Sequence, residues 1–572
     1  MVFLREEISK IVEKAVYEKF PQWSGEIKIE YPSDSVNGDY STNIALQLAK
    51  FTKRPPREIA QEIISNIKKP DWILKISIAG AGFINFYISS KFLTEFAERI
   101  IKAGEKYGKS EIKKGKVAAT DISHPNVAKP MGAHHLLSTI IGNVLNRILA
   151  AVGYRVIRDN YIGDWGTQFG KLIYAYKTWG DEAIVKKNPI QELLKLYVKF
   201  HDEVEKKQEL EDFGRLEFKK LENGDKENRK LWQWIVDLSM QEFQKIYDRL
   251  GIDFDFIRGE SFYEDKMQEI IDLGIKKGVF VKGEGGALIA PFKHEKYPPC
   301  LIKKSDGATL YATRDLARTK YWEDSWHPDL MIMVADTAQN LHFKQFFEVA
   351  QMLGITDAEN IHVAFGRMRF PEKRMSTRKG NIILMEELLD EAEEAAYKIV
   401  CEKNPELAEN RKREVARQVG IGAVKYAILS QNRLTDITFT WDKMLSLEGN
   451  SAPYLQYVYA RGRSIIRKMP DARCQMSDVS KYIFKEPQEL AVTRLLPRFP
   501  EVIVLAAEEF KPNLIANYLF ELASVFNSFY ASVPVLQAEE SVRAGRLKLV
   551  EAITIVLKNG LELFGIAAPE EM

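Results

Sequence analysis

From Val117 onward the sequence alternates strand-like apolar runs with amphipathic helical stretches, and this alternation restricts the fold more than any other feature. Val117-Ala118-Ala119-Thr120-Asp121-Ile122 reads as a strand, the stretch 135–151 as a helix, and "YRVIRDNYIGDWG" as a strand ending in a Gly-rich loop. "DLMIMVAD" (329–336), a helix through Phe346-Phe347 and "IHVAFG" (361–366) repeat the pattern. Strand–helix–strand order calls for a parallel sheet with crossover helices, because parallel neighbours cannot be joined by a tight hairpin. The predicted class is α/β over residues 117–440.

The flanks follow other periods. Residues 1–105 read as a small α+β unit: Ile8, Ile11, Val12, Ala15 and Val16 form a helical stripe, and Pro55-Pro56 open a helix carrying Ile59, Ile63, Ile64 and Ile67. "WILKISIAGAGFINFYIS" reads as two strands around a Gly turn, and KYGKSEIKKGK (106–116) as a basic, polar linker. The charged stretch 182–230 reads as a helical surface insertion with a solvated face. Beyond Trp441 strand signals vanish, and 441–572 reads as an all-α bundle in which Pro453 sits near the start of a helix striped with Tyr454, Tyr457, Val458 and Ile465.

Charge and cysteine usage narrow the function classes. The net charge of +2 confines any nucleic-acid surface to a local patch. Cys300, Cys401 and Cys474 are odd in number, far apart and free of CxxC spacing, against a disulfide framework or a structural zinc site. The first twenty residues mix charged and apolar side chains unlike a signal or transit peptide, and no apolar run spans a bilayer. A soluble cytoplasmic protein without a membrane partner is expected.

Two stretches carry chemistry. "HPNVAKPMGAHHLLSTIIGN" (124–143) leads from the strand at 117–122 into the helix at 135–151. There is no P-loop and no GxGxxG after a strand, so a nucleotide would be held another way. A helix N-terminus after a parallel strand offers backbone N–H groups and the positive dipole end to phosphates, with His135 and Lys129 as added donors. "EKRMSTRKGN" (372–381) is the second stretch, with Lys373, Arg374, Arg378 and Lys379, the hydroxyls of Ser376 and Thr377, and Gly380. Alone it is also an ordinary charged turn. Paired with the helix entrance, it suits closure on a pyrophosphate leaving group.

Together these motifs resemble class I aminoacyl-tRNA synthetases, and among them arginyl-tRNA synthetases, over nearly the whole chain. Pro125, Asn126, Val127, Ala128, Lys129, Pro130, Met131, Gly132, Ala133, His134 and His135 resemble that family's HIGH region, and "RMSTRKGN" its KMSKS loop in the arginyl variant, where Lys129 looks like the replacement for a lysine missing from the loop. "NYIGDWGTQFGKL", "DGATLYATRDLA" and "NSFYASVPVL…GLELFGIAAPEEM" are similar too. The resemblance implies a Rossmann-like parallel-sheet catalytic domain with an N-terminal α+β domain that binds the tRNA elbow and a C-terminal all-α helical bundle that binds the anticodon. It also implies ATP and L-arginine as substrates, Mg²⁺ bridging the phosphates, no zinc, tRNA-Arg as partner and a requirement for bound tRNA before activation; a monomer is expected. The catalytic set would be Lys129, His134, His135, Lys373, Arg374, Ser376, Arg378 and Lys379. Asp315 with Tyr311 would hold the guanidinium, Asp121 is the second acid, and Asn126 and Gln339 would hold the amino and carboxylate end. His342 is a site donor or a packed histidine.

One departure stands out. The family's His–any–Gly–His reads Gly132-Ala133-His134-His135 here, so a side chain stands where adenine should pack and one donor is missing. Losing one transition-state donor costs about 3–4 kcal/mol. A tRNA-binding paralogue with impaired ligase activity is therefore the alternative reading. Arg461, Arg463 and Arg467 form a basic strip for tRNA, whereas Trp165, Tyr457, Tyr459 and Phe529 are expected to pack inside.

Overall fold

The computed structural model describes residues 3–32, 34–370, 383–468 and 482–572. The central sheet has five parallel strands: β1 (Val117–Asp121), β2 (Arg155–Asn160), β3 (Phe256–Ile257), β4 (Leu330–Asp336) and β5 (Glu359–Phe365), in the order β5-β4-β1-β2-β3. The chain leaves β1 in one direction and returns on the other side of it at β4, so strand order reverses between β1 and β4. Beyond the carboxyl ends of the strands at such a reversal a crevice opens, the usual ligand position in open α/β sheets.

Helix α1 (His134–Ala151) crosses from β1 to β2 and is buried almost all round. Leu136, Leu137, Ile140, Ile141, Val144, Leu145, Ile148 and Leu149 share one core with the C-terminal helices, which explains why it has no polar stripe. Its Gly142 lies so close to the end of β1 that a Cβ there would come within 2.1 Å of Ile122 Cγ2. Helix α2 (Tyr311–Trp326) and helix α3 (Asn340–Leu353) belong to a second core with Met331, Met333 and Trp322.

The charged stretch folds as helices: Glu182–Lys187, Pro189–Lys206 and Leu210–Glu222 precede the long helix Lys226–Leu250. Trp165 is buried with them, edge-on to Phe218 and Trp232, as packing predicts. Near the N-terminus, strands Tyr40–Thr42, Ile73–Ala79 and Phe83–Ile88 make an antiparallel sheet over a separate core. Helices Ala452–Arg467, Pro487–Leu495, Arg498–Glu509, Asn513–Ser532 and Glu540–Leu563 make the C-terminal bundle. Within it Tyr459 and Phe529 are core residues, whereas Tyr457 is 37% exposed. That corrects its expected place: Arg461 stacks 4.7 Å above its ring on the outer face.

The polar 106–116 stretch is anchored rather than free. Tyr107 is buried and its hydroxyl donates to Leu496 O at 2.7 Å. The N-terminal unit also rests on the bundle: Glu501 accepts from Arg5 N–H at 2.8 Å and from the Tyr31 hydroxyl. No described helix is long and apolar enough to cross a membrane.

Gly142→Ala should destabilise the protein by about 1–3 kcal/mol, because the methyl must displace Ile122 from the end of β1. A urea titration measures it, and an unchanged midpoint would show that the helix can lift away.

Candidate active site

Asp121 ends β1, and register sets it opposite Asp159 of β2 and Met333 of β4. Two carboxylates side by side and out of water repel each other, so each needs its own cation. Asp159 accepts from Trp322 Nε1 at 3.0 Å and Arg258 Nη1 at 3.2 Å; burial still pushes its carboxyl upward against the pull of Arg258. Asp121 accepts from Arg318 Nη1.

Arg318 lies about two turns into α2 and is only 2% exposed. Its Nη2 reaches Asp315 Oδ1 at 3.2 Å, and Asp315 Oδ2 is 2.7 Å from His342 Nε2. His342 is thus a partner of the buried acid as well as a neighbour of Phe346. Burial pushes the Asp315 carboxyl up, but Arg318 and His342 outweigh it and hold it below its ordinary range. The guanidinium stands 4.4 Å above the Tyr161 ring. His124 Nδ1 lies 3.2 Å from Asp121 Oδ1, close enough for an ion pair though outside hydrogen-bond geometry.

A further acid completes the cluster. Glu260 opens the 3-10 turn Glu260–Lys266. Burial lifts its carboxyl to about 7 against the pull of Arg314, 3.6 Å away, and Asp164, Asp315 and Glu264 add repulsion. Arg314 is shared with Glu264 at 2.9 Å, so Glu260 is the least compensated carboxylate of the group.

Between β1 and α1 the backbone makes a tight detour. Ser123, His124 and Ala128 have φ of 85°, 56° and 61°. Left-handed conformations cost side-chain-bearing residues about 1–3 kcal/mol each and persist only where the surroundings hold them. Ser123 Oγ is held by Tyr247 Oη at 2.8 Å and Thr139 Oγ1 at 3.0 Å, and Ala128 N–H donates to Ser239 Oγ at 3.0 Å. Asn126 pairs with Gly163 in a parallel bridge so close that a Cβ on Gly163 would meet Asn126 Oδ1 at 2.5 Å. Asn126 and Gln339 are exposed, Tyr311 is 68% exposed at the first position of α2, and Lys129 Nζ stands 5.3 Å over the Tyr197 ring.

The detour delivers Pro130, Met131, Gly132 and Ala133 to the start of α1, where no side chain caps the helix. His134 is exposed and His135 half-buried, with ring centroids 3.9 Å apart. His135 Nδ1 lies 3.2 Å from Gly132 N and 3.3 Å from Gly132 O, so the ring is tied to the turn just before the helix whichever nitrogen carries its proton. Burial, then the neighbouring His134, lower the His135 imidazole to about 3. Lys373, Arg374, Ser376, Thr377, Arg378 and Lys379 lie outside the described residues. The residues that follow them return to the same place: Ala133 N–H donates to Ile383 O at 2.8 Å, and Met385 N–H to Met131 O at 2.9 Å.

Far from this crevice, Arg461 donates to Asn527 Oδ1 at 2.8 Å and covers Tyr457 and Tyr530. Arg463 and Arg467 pair instead with Glu570, at 3.3 and 3.4 Å.

Comparison with known proteins fits this architecture. Residues 97–441 match the catalytic domain of class I tRNA synthetases (R), residues 455–572 the DALR anticodon binding domain, and residues 3–88 the arginyl tRNA synthetase N terminal domain. The chain is 43% identical to an arginine–tRNA ligase of Fusobacterium nucleatum across 99% of both chains. The chain belongs to the class I arginyl-tRNA synthetases. It is likewise 42% identical to an arginine–tRNA ligase of Clostridium perfringens over 95% of this chain and 96% of the relative. The arginyl-tRNA synthetase of Plasmodium falciparum shares its fold, with TM-score 0.85 at 24% identity and complete coverage of both chains.

Sequence reading of this synthetase missed Arg318, Glu260, His124 and Tyr161. Arg318 had a usable signal, since it stands three residues after Asp315 on a helix. Glu260 had none, because its surroundings come from separate elements. The depressed His135 imidazole should stay neutral from about pH 5 to 8. The neutral ring favours the fold, so its contribution is complete above the unfolded value near 6.5 and is lost as pH falls toward 3. A ring titration near pH 6.5 in NMR spectra of labelled histidine would contradict the buried geometry.

Proposed function

We propose that this chain is an arginine–tRNA ligase acting as a cytoplasmic monomer. It joins L-arginine to ATP, giving arginyl-adenylate and pyrophosphate, and passes the arginyl group to the 3′ end of tRNA-Arg. One observation carries the reading: the acid cluster at the carboxyl end of β1 and the uncapped N-terminus of α1, the helix that follows β1, both stand at the strand-order reversal.

The chemistry needs no nucleophilic side chain. The arginine carboxylate attacks the α-phosphorus in line, pyrophosphate departs, and a terminal ribose hydroxyl of the tRNA then attacks the acyl carbon, releasing AMP. Positioning and charge stabilisation supply the rate. In this reading the first N–H groups of α1, His135, His134 and Lys129 would meet the phosphates, and Lys373, Arg374, Ser376, Arg378 and Lys379 would supply the remaining charge and hydroxyls. Lys129 must turn from Tyr197 to take part. Glu260, Asp315, Asp121 and Tyr311 would make up the guanidinium end, with Glu260 the carboxylate least engaged by the protein's own cations, while Asn126 and Gln339 would meet the α-amino and carboxylate end. Among the described residues no group of three or more His, Cys, Asp and Glu side chains could hold a metal ion, so Mg²⁺ would arrive with the ATP phosphates. Residues 1–105 would meet the tRNA elbow, and residues 441–572 the anticodon, with Arg461 over Tyr457 and Tyr530 as a surface for a splayed base.

Arginine-dependent ATP–pyrophosphate exchange, with and without tRNA-Arg, tests the reading. Exchange that requires tRNA is expected; none in either case, with tRNA still bound, would leave a tRNA-binding paralogue. A second expectation concerns pH. A guanidinium beside Glu260 favours its ionised form, so binding below about pH 7 must expel a proton. Arginine affinity should rise with pH by up to about tenfold per unit below 7 and level off above it. Glu260→Gln should flatten that dependence in KM measurements, and an unchanged slope would remove Glu260 from the pocket.

A further inference from the structure

The two acids at the end of β1 and on α2 already hold a guanidinium, and it belongs to the protein. Arg318 touches both carboxylates, His342 takes the second oxygen of Asp315, and His124 faces the second oxygen of Asp121. The ring of Tyr161 lies 4.4 Å beneath the guanidinium and that of Trp322 5.3 Å away. Paired carboxylates over an aromatic face are the chemistry that recognises an arginine side chain, by charge, forked hydrogen bonding and stacking. Neither acid presents a free fork to a second guanidinium.

The contacts of Arg318 run through its two terminal nitrogens. Its Nε makes no hydrogen bond although buried, and the Tyr161 and Tyr263 hydroxyls beside it are also buried without partners.

Resting on the arginine-binding reading above, we propose that Arg318 is a resident competitor in the guanidinium subsite: it occupies Asp121 and Asp315, weakens binding of free arginine and leaves Glu260 as the carboxylate that reads the substrate. The subsite therefore has two arrangements. With Arg318 present, substrate reading falls on Glu260 and its neighbours. With Arg318 shortened, Asp121, Asp315 and the Tyr161 ring form an empty place for a guanidinium supplied from solution.

Arg318→Ala tests this in three readouts. Guanidinium ion at millimolar concentration should raise the melting temperature of the variant and leave the parent unmoved, apart from its general denaturing effect. The KM for arginine in exchange should fall at least about tenfold, because the competent subsite is no longer discounted by its resident. Glu260→Gln should raise KM strongly in the parent and only slightly in the Arg318→Ala background. A variant that gains nothing from guanidinium, binds arginine more weakly and adds its loss to that of Glu260→Gln would show Arg318 to be a structural clamp, and would overturn the proposal. If Arg318→Ala folds only with guanidinium present, a structural clamp explains the rescue equally well, and the arginine KM of Arg318→Lys decides. If it folds under neither condition, Arg318→Lys decides, since one ammonium cannot fork to both acids: a lower arginine KM supports the proposal, and an equal or higher KM overturns it. Absence of arginine-dependent exchange in the parent with tRNA would refute the ligase reading, while guanidinium stabilisation of the variant would still report the subsite.

Discussion

A buried guanidinium between two carboxylates ties the end of the central strand to the helices packed over it. Asp121 ends β1, Asp315 and Arg318 come from α2, and His342 from α3, so one ionic cluster joins elements spread over more than two hundred residues of sequence. Such clusters are poor sources of net stability, because the cost of taking the charges out of water rivals their attraction. Removing one member is nevertheless severe, since the remaining charges stay buried. The cluster stands where α2 meets the end of β1, and the same helix carries Arg314, which reaches Glu260 on the 3-10 turn, and Tyr311 at its first position.

The same economy of buried charge recurs where the parts of the chain meet. Lys425, on the helix Glu409–Leu429, donates to Leu250 O at 2.7 Å and to Gly565 O at 2.5 Å, joining the end of the long helix 226–250 to the C-terminal segment. Burial, helped by Arg147, lowers its amine to about 7. Glu501 performs a matching task elsewhere, collecting Arg5 and Tyr31 from the N-terminal unit. Both junctions hold a buried ionisable group through hydrogen bonds to carbonyls, an amide or a hydroxyl, which fixes direction as well as distance. The backbone detour between β1 and α1 has its own supports, the hydroxyls of Tyr247, Thr139 and Ser239.

Much of this was legible from residues alone, for definite reasons. The apolar run 330–335 is buried on both sides, which only a sheet covered by helices provides, so the α/β class followed from pattern. The helix at 135–151 and the hairpin at 73–88 followed from period and the Gly turn. The stretch that carries His134 and His135 was recognisable because its chemistry is contiguous in sequence. Tyr457 was misjudged because a helical stripe of aromatics does not show which side of a helix will be covered. The linker at 106–116 was misjudged because Tyr107 packs against Leu496, nearly four hundred residues away.

The sequence by itself determined the order of strands and helices, the uncapped helix start with its two histidines, and the family, because these depend on local period and contiguous motifs. Only the tertiary structure decided which charges meet. Asp121, Asp159, Glu260, Asp315 and Arg318 are ordinary residues along the chain. Their roles arise from the register of β1 on β2 and from the docking of α2, which bring like charges together out of water and oblige each to find a partner.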